Sequence, residues 1–189
     1  CIPQLSLRDC LGRLQLGMAV CCILTGRLKK IIRSDYLAVN FIDRVFDNPM
    51  LFSGFENLMA LFAYSLQVYA DFSGYTDIAI GLSLLMGFYL PRNFNSPYKA
   101  PNCSNFWKRW HISLSTFFRD YVYIPLGGSR CSLRRTTLNL LAVWALTGLW
   151  HGASWNYVLW GLYSFAFLVF ENWPRTKELK PLHPAPNTV

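Results

Sequence analysis

The chain has 189 residues, of which 53% are hydrophobic and 16% aromatic, and only 15% are charged, well under the roughly 25% usual in a soluble domain. Its net charge of +8 comes in short basic clusters between long apolar runs, which argues against a nucleic-acid surface and fits the loops of a membrane protein. The cysteines Cys1, Cys10, Cys21, Cys22, Cys103 and Cys131 show no C-x-x-C spacing and no histidine at zinc-ligand spacing, so no metal site is expected and they serve as small apolar packing residues.

The chain opens at Cys1 with no initiator Met, no signal peptide and no internal repeat, and reads as a piece of a longer protein. Five apolar stretches follow: Leu11 to Leu24, Met50 to Ala70, Ile78 to Leu90, Thr136 to Trp150 and Trp155 to Phe170. Some fall short of the roughly 20 residues a spanning helix needs. Basic residues cluster at Arg27 to Arg33, Arg92 to Arg109, Arg130 to Arg135 and Arg175 to Lys180, whereas Asp71 to Asp77 and His151 to Trp155 carry none. With positive clusters inside, this alternation predicts an all-α polytopic membrane protein of about five transmembrane helices, N-terminus outside and tail inside. The membrane part covers residues 1–173, and the Pro-rich polar tail, 174–189, is expected to be disordered. The sequon Asn102-Cys103-Ser104 falls on the inner side, where it would not be used.

Between the third and fourth stretches, Ser104 to Leu126 is predicted as one amphipathic helix capped by Ser104 and ended by Pro125, Gly127 and Gly128, with Phe106, Trp110, Leu114, Phe117 and Tyr121 on its apolar face. Periodicity leaves open whether it lies in the interface or enters the membrane as a re-entrant element. Its polar face carries Lys108, His111, Ser115 and Arg119, which suits either phosphate binding or a plain solvated surface.

The fourth apolar run is short, about 22 Å at 1.5 Å per residue against a hydrocarbon core of about 30 Å, so His151 should sit below the outer surface. There a neutral imidazole, with an unperturbed pKa of about 6.5, suits general-base work. A structural histidine bonded to a neighbouring carbonyl fits the position equally. Asp71, Tyr75 and Asp77 form a polar patch that serves either a site or the fold. Trp107, Trp110, Trp150, Trp155, Trp160 and Trp173 read mostly as interface anchors and packing, with Trp150 set apart because it adjoins His151.

Three segments carry a family resemblance: Tyr69 to Gly81 (YADFSGYTDIAIG), Phe106 to Gly128 (FWKRWHISLSTFFRDYVYIPLGG) and Gly148 to Trp155 (GLWHGASW). They resemble signatures of the membrane-bound O-acyltransferases, in the branch of bacterial alginate O-acetylases and related polysaccharide acetylases. The resemblance covers roughly residues 14 to 171, and members of the family run to more than twice this length. It implies helices around a tunnel, where an acyl thioester such as acetyl-CoA, a co-substrate and not a bound cofactor, meets a polysaccharide hydroxyl. It implies that His151 is the catalytic histidine and His111 a second motif histidine. Trp150, Asp71, Tyr75, Asp77, Asn105, Lys108 and Arg119 are the expected substrate-binding residues, and Asn105, Ser113 and Tyr75 the candidate oxyanion donors. A covalent route through Ser113 or Cys103 has no triad-like support. The implied setting is the bacterial inner membrane, with lipids and periplasmic acetyl-transfer proteins as partners and no nucleic acid. A transporter reading would need paired inverted repeats, which the sequence lacks, and an inactive fragment of the enzyme is the remaining alternative.

Overall fold

The structure is a computed structural model that describes residues 13–171. Every regular element among them is helical. The expected tail from Pro174 lies outside the described residues. The chain divides into two compact units, Cys1–Asn93 and Phe94–Val189.

The first unit is a long helical hairpin. Its first arm starts as helix α1 (Arg13–Leu28) and continues through π-helical turns at Lys29–Asp35 and Ala38–Ile42 into the short α2 (Asp43–Asp47). The junction residues Leu28, Tyr36, Leu37, Ile42 and Asp43 all keep right-handed helical dihedrals, so the arm never breaks. Asn48 ends it with φ −139° and ψ 64°. The return arm, α3 (Gly54–Leu85), begins with a capping box in which the Ser53 hydroxyl accepts from the Glu56 amide at 3.3 Å and the Glu56 carboxylate accepts from the Ser53 amide at 2.7 Å. Glu56 thus caps the helix that it opens.

At 32 residues, α3 is about 48 Å long at 1.5 Å per residue, and it passes straight through the turn expected at Asp71 to Asp77. That segment has no proline, and its one glycine, costing about 1 kcal/mol in a helix, sits where the arms come into close contact. A Cβ on Gly74 would lie 2.8 Å from the Gly26 carbonyl oxygen, and one on Gly81 2.7 Å from that of Ala19. The polar patch of Asp71, Tyr75 and Asp77, expected to serve either a site or the fold, lies on this helix, and its carboxylates take their counter-charges from the opposite arm. Lys29 pairs with Asp77 at 2.6 Å, and Lys30 pairs with Asp71 and, at 3.2 Å, with Asp35. Two of the five expected spans thus merge, and the alternation behind the outward N-terminus goes with them. Among the described residues no helix is long and apolar enough to cross a membrane.

The second unit contains the short helices α4 (Cys103–Trp107) and α5 (Ile112–Phe118), a π-helical turn at Arg119–Tyr123, and the long helices α6 (Leu133–His151) and α7 (Trp155–Glu171). The last two match the fourth and fifth apolar runs. They pack antiparallel, with a Cβ on Gly148 falling 2.7 Å from the Tyr157 carbonyl oxygen and one on Gly161 2.6 Å from that of Trp144. The single amphipathic helix expected over Ser104 to Leu126 is instead broken at Lys108 to His111, and the segment folds back on itself. Its cap is Asn102, whose side-chain oxygen accepts from the Asn105 amide at 2.8 Å, while the Ser104 amide donates to Glu171 at 2.9 Å. Tertiary contacts override the periodicity. The Ser115 hydroxyl donates to the Trp107 and Trp110 carbonyls at 3.2 and 3.4 Å, and Trp110 packs among Phe94, Phe106 and Tyr98 with ring centroids 5.1, 5.6 and 6.5 Å away.

Candidate active site

On α6, Leu140, Val143, Trp144, Thr147 and His151 recur at helical spacing and form one stripe. This stripe is one wall of a cavity of about 560 Å³. The folded-back segment contributes Trp107, Lys108, Trp110, His111, Ser115, Arg119 and Tyr123, and α7 contributes Trp160 and Leu168. From Leu140 to His151 the stripe runs about 16 Å at 1.5 Å per residue, so the cavity is elongated, with His151 toward one end and Tyr123 and Leu140 toward the other. Trp107, Trp144 and Trp160 pack edge to face along it, with centroids 4.7 to 6.0 Å apart.

His151 is the last residue of α6 and is solvent-exposed. Its Nδ1 lies 2.7 Å from the Thr147 carbonyl oxygen, one helical turn back. A carbonyl can only accept, so Nδ1 carries the proton in the neutral ring and Nε2 keeps its lone pair. This is the bond to a neighbouring carbonyl expected of a structural histidine, and it also leaves Nε2 as the ring atom able to accept a proton. The Thr147 hydroxyl donates to the Val143 carbonyl at 2.7 Å. Trp160 and Trp150 stand edge-on to the imidazole with centroids 4.8 and 5.0 Å away, and Tyr157 lies beside it at 6.3 Å.

His111 reaches the same end of the cavity from the break between α4 and α5. It is held in the left-handed region at φ 46°, a conformation that costs most residues roughly 1 to 3 kcal/mol and collects at functional sites. The Trp150 ring meets both histidines, with its centroid 5.9 Å from that of His111. Burial, and next the nearby His151, lower the pKa of His111 below its ordinary 6.5, so it is neutral at pH 7. Its Nδ1 is 3.4 Å from the Ser113 hydroxyl.

Of the expected substrate-binding residues, Lys108 and Arg119 line the cavity, and Trp150 sits against both histidines. The stripe Lys108, His111, Ser115 and Arg119 does converge, through a hairpin and not as one helix face. The Asn105 side chain is engaged elsewhere, accepting from Arg109 Nε at 2.5 Å. Asp71 and Asp77 belong to the first unit, in its ion pairs, and Tyr75 is exposed there. Cys103 lines a separate cavity of about 230 Å³ with Phe106, Trp107 and Phe167. Trp107 and Trp160, expected as anchors and packing, do pack, along the cavity wall. Sequence reasoning missed Thr147, which its position four residues before His151 could have flagged. It also passed over Asn139, whose buried amide has no local sequence signal.

A family model described as MBOAT, membrane-bound O-acyltransferase family, matches residues 3–176. A peptidoglycan O-acetyltransferase of Helicobacter pylori is 47% identical over 137 residues, covering 72% of this chain and 26% of that protein. A probable alginate O-acetylase, AlgI, of Pseudomonas aeruginosa is 49% identical over 148 residues, 77% of this chain and 28% of the relative. More distantly, a teichoic acid D-alanyltransferase of Bacillus subtilis is 34% identical over 136 residues, 66% of this chain and 34% of the relative. The chain thus spans between a quarter and about a third of the length of these relatives.

Proposed function

The chain belongs to the membrane-bound O-acyltransferase family, and from that premise we propose that the whole protein moves an acetyl group from a thioester donor onto a hydroxyl of an extracytoplasmic polysaccharide, with His151 as general base. The observation that carries this reading is the 2.7 Å contact between His151 Nδ1 and the Thr147 carbonyl, which leaves Nε2 as the acceptor of a proton. The acceptor hydroxyl gives its proton to Nε2 while its oxygen attacks the thioester carbonyl. The tetrahedral intermediate then collapses, the carbon–sulfur bond breaks, and the departing thiolate takes the proton from the imidazolium. His111, neutral at pH 7, adds no second cation beside that imidazolium and offers an N–H to the developing oxyanion. Lys108 and Arg119, on the cavity wall, the latter paired with Asp120 through Nε, suit the phosphates of a donor such as acetyl-CoA.

The acceptor is a polymer of the envelope. The relatives' names cover peptidoglycan, alginate and teichoic acid, and alginate or a similar exopolysaccharide is the acceptor we favour, delivered with the help of periplasmic acetyl-transfer proteins. The setting is the bacterial inner membrane, crossed more than once. Supporting it are Leu61, Phe62 and Leu66 on α3 and Phe170 on α7, each more than half exposed, which apolar lipid or further parts of the protein would cover. The carboxylates Asp71 and Asp77 within α3 are paired across the hairpin, as ionisable groups at membrane depth are. The test is polymer acylation per unit of membrane-inserted protein in the full-length enzyme. His151→Ala lowers it by about 10² to 10⁴, and His151→Gln does not restore it, since an amide refills the hydrogen bonds but takes up no proton. Near-normal specific activity in either variant would remove His151 from the chemistry.

A further inference from the structure

The end of the cavity remote from His151 is held by a residue that the proposed chemistry does not use. Asn139 lies in the second turn of α6 and is 2% exposed. Its Nδ2 donates to the Leu126 carbonyl at 3.1 Å and to the Gly128 carbonyl at 3.2 Å. Both carbonyls turn toward it because Gly127 and Gly128 adopt positive φ of 106° and 56°, which side chains with a Cβ rarely tolerate. One uncharged nitrogen carrying two protons is what two converging carbonyls require. An aspartate would set a carboxylate against them, a serine could serve only one, and an alanine would leave two buried acceptors unmet.

What this clamp fixes is the cavity wall. The Leu126–Gly128 turn follows directly on the π-helical turn Arg119–Tyr123, and the two are stitched together by the Gly128 amide donating to the Tyr123 carbonyl at 2.8 Å and the Ile124 amide donating to that of Arg119 at 2.9 Å. The Tyr123 phenol is further hydrogen-bonded to Ser129, just beyond the turn. Tyr123 and Arg119, the latter also paired through Nε with Asp120 at 2.7 Å, both line the cavity. Asn139 is twelve residues before His151, about 18 Å along the helix, too far to touch the reacting atoms. It acts only through the wall it holds.

We propose that Asn139 is a positioning residue for the donor end of the cavity, holding Arg119 and Tyr123 where the polar part of the thioester donor enters; this rests on the acyl-transfer reading of the same site. The experiment uses the full-length protein in membrane vesicles, acetyl-CoA as donor and chemically deacetylated alginate as acceptor, with Asn139→Ala and the milder Asn139→Ser. Expected is a KM for acetyl-CoA raised about tenfold in the alanine variant and less in the serine variant, with kcat within about twofold in both. Trypsin cleavage after the exposed Arg130 is expected to speed up several-fold as the turn loosens. A fall in kcat or in inserted protein at unchanged KM would make Asn139 merely structural and overturn the proposal, as would unchanged kinetics. No acetyl transfer by the unsubstituted protein would take down the acyl-transfer reading and the donor role with it, while the cleavage rates would still decide whether Asn139 holds the turn.

Discussion

Both units rest on antiparallel helices brought together by glycine, yet they treat their polar groups in opposite ways. In the first, Gly26, Gly74 and Gly81 let the arms approach until carbonyl oxygens occupy the space of a Cβ, and Lys29 and Lys30 meet Asp77 and Asp71 across the seam. In the second, Gly148 and Gly161 do the same for α6 and α7, but His111, His151 and Lys108 line a cavity together with Arg119, which also pairs with its neighbour Asp120 at 2.7 Å. In the first unit the paired charges close the seam between the arms; in the second the polar groups line a cavity. The contact that brings helices together is therefore separable from the chemistry that the helices carry.

The largest effect should fall on both units alike. Gly26→Val and Gly148→Val would each push a side chain against a backbone oxygen, at 2.5 Å from Gly74 O and 2.7 Å from Tyr157 O, where no flexible group can give way. Each is expected to cost about 3 kcal/mol or more, seen as loss of inserted protein; a well-tolerated valine at either site would mean that the helices do not meet there.

A smaller effect should separate the units. The Lys29–Asp77 pair is about three-quarters buried on each side, so Asp77→Asn, which leaves Lys29 without its nearest counter-charge, should cost about 1 kcal/mol. It should lower the melting temperature in detergent without changing specific activity. The exchanged pair, Lys29→Asp with Asp77→Lys, should recover most of the loss, and failure of that rescue would argue against a direct pair.

The smallest concerns His111. Its pKa in the fold lies below the ordinary 6.5, so as pH falls below about 6.5 the unfolded chain takes up a proton before the folded one does. Stability is unaffected above that pH and declines below it, down to the folded pKa. His111→Asn, which tolerates the left-handed backbone, should flatten the decline in melting temperature between pH 7.5 and pH 5.5. An unchanged slope would mean that His111 is not buried against His151.

How far the sequence speaks follows the same division. The α6–α7 pair was legible within a few residues, because each is one apolar run and Gly152 with Ser154 marks the turn between them. Lys108, His111 and Arg119 were legible as the polar face of an amphipathic segment and His151 as the end of a short apolar run, and the structure brings all four to one cavity. The continuity of α3 was not, since hydropathy sees Asp71 and Asp77 but not the lysines on the other arm. Nor was the break at Lys108 to His111, which depends on a serine hydroxyl and an aromatic cluster assembled from distant residues. Asn139 was invisible for the same reason: its partners are backbone carbonyls in a turn 11 to 13 residues away.

The most direct test pairs one substitution from each unit in the full-length enzyme, His151→Gln and Asp77→Asn, and measures both the amount of inserted protein and the polymer acylation per unit of it. The account predicts that His151→Gln leaves the amount near normal and abolishes specific activity, while Asp77→Asn lowers the amount and leaves specific activity intact. The reverse pattern, with His151→Gln failing to accumulate but working normally per molecule, would make His151 a structural residue and contradict the account.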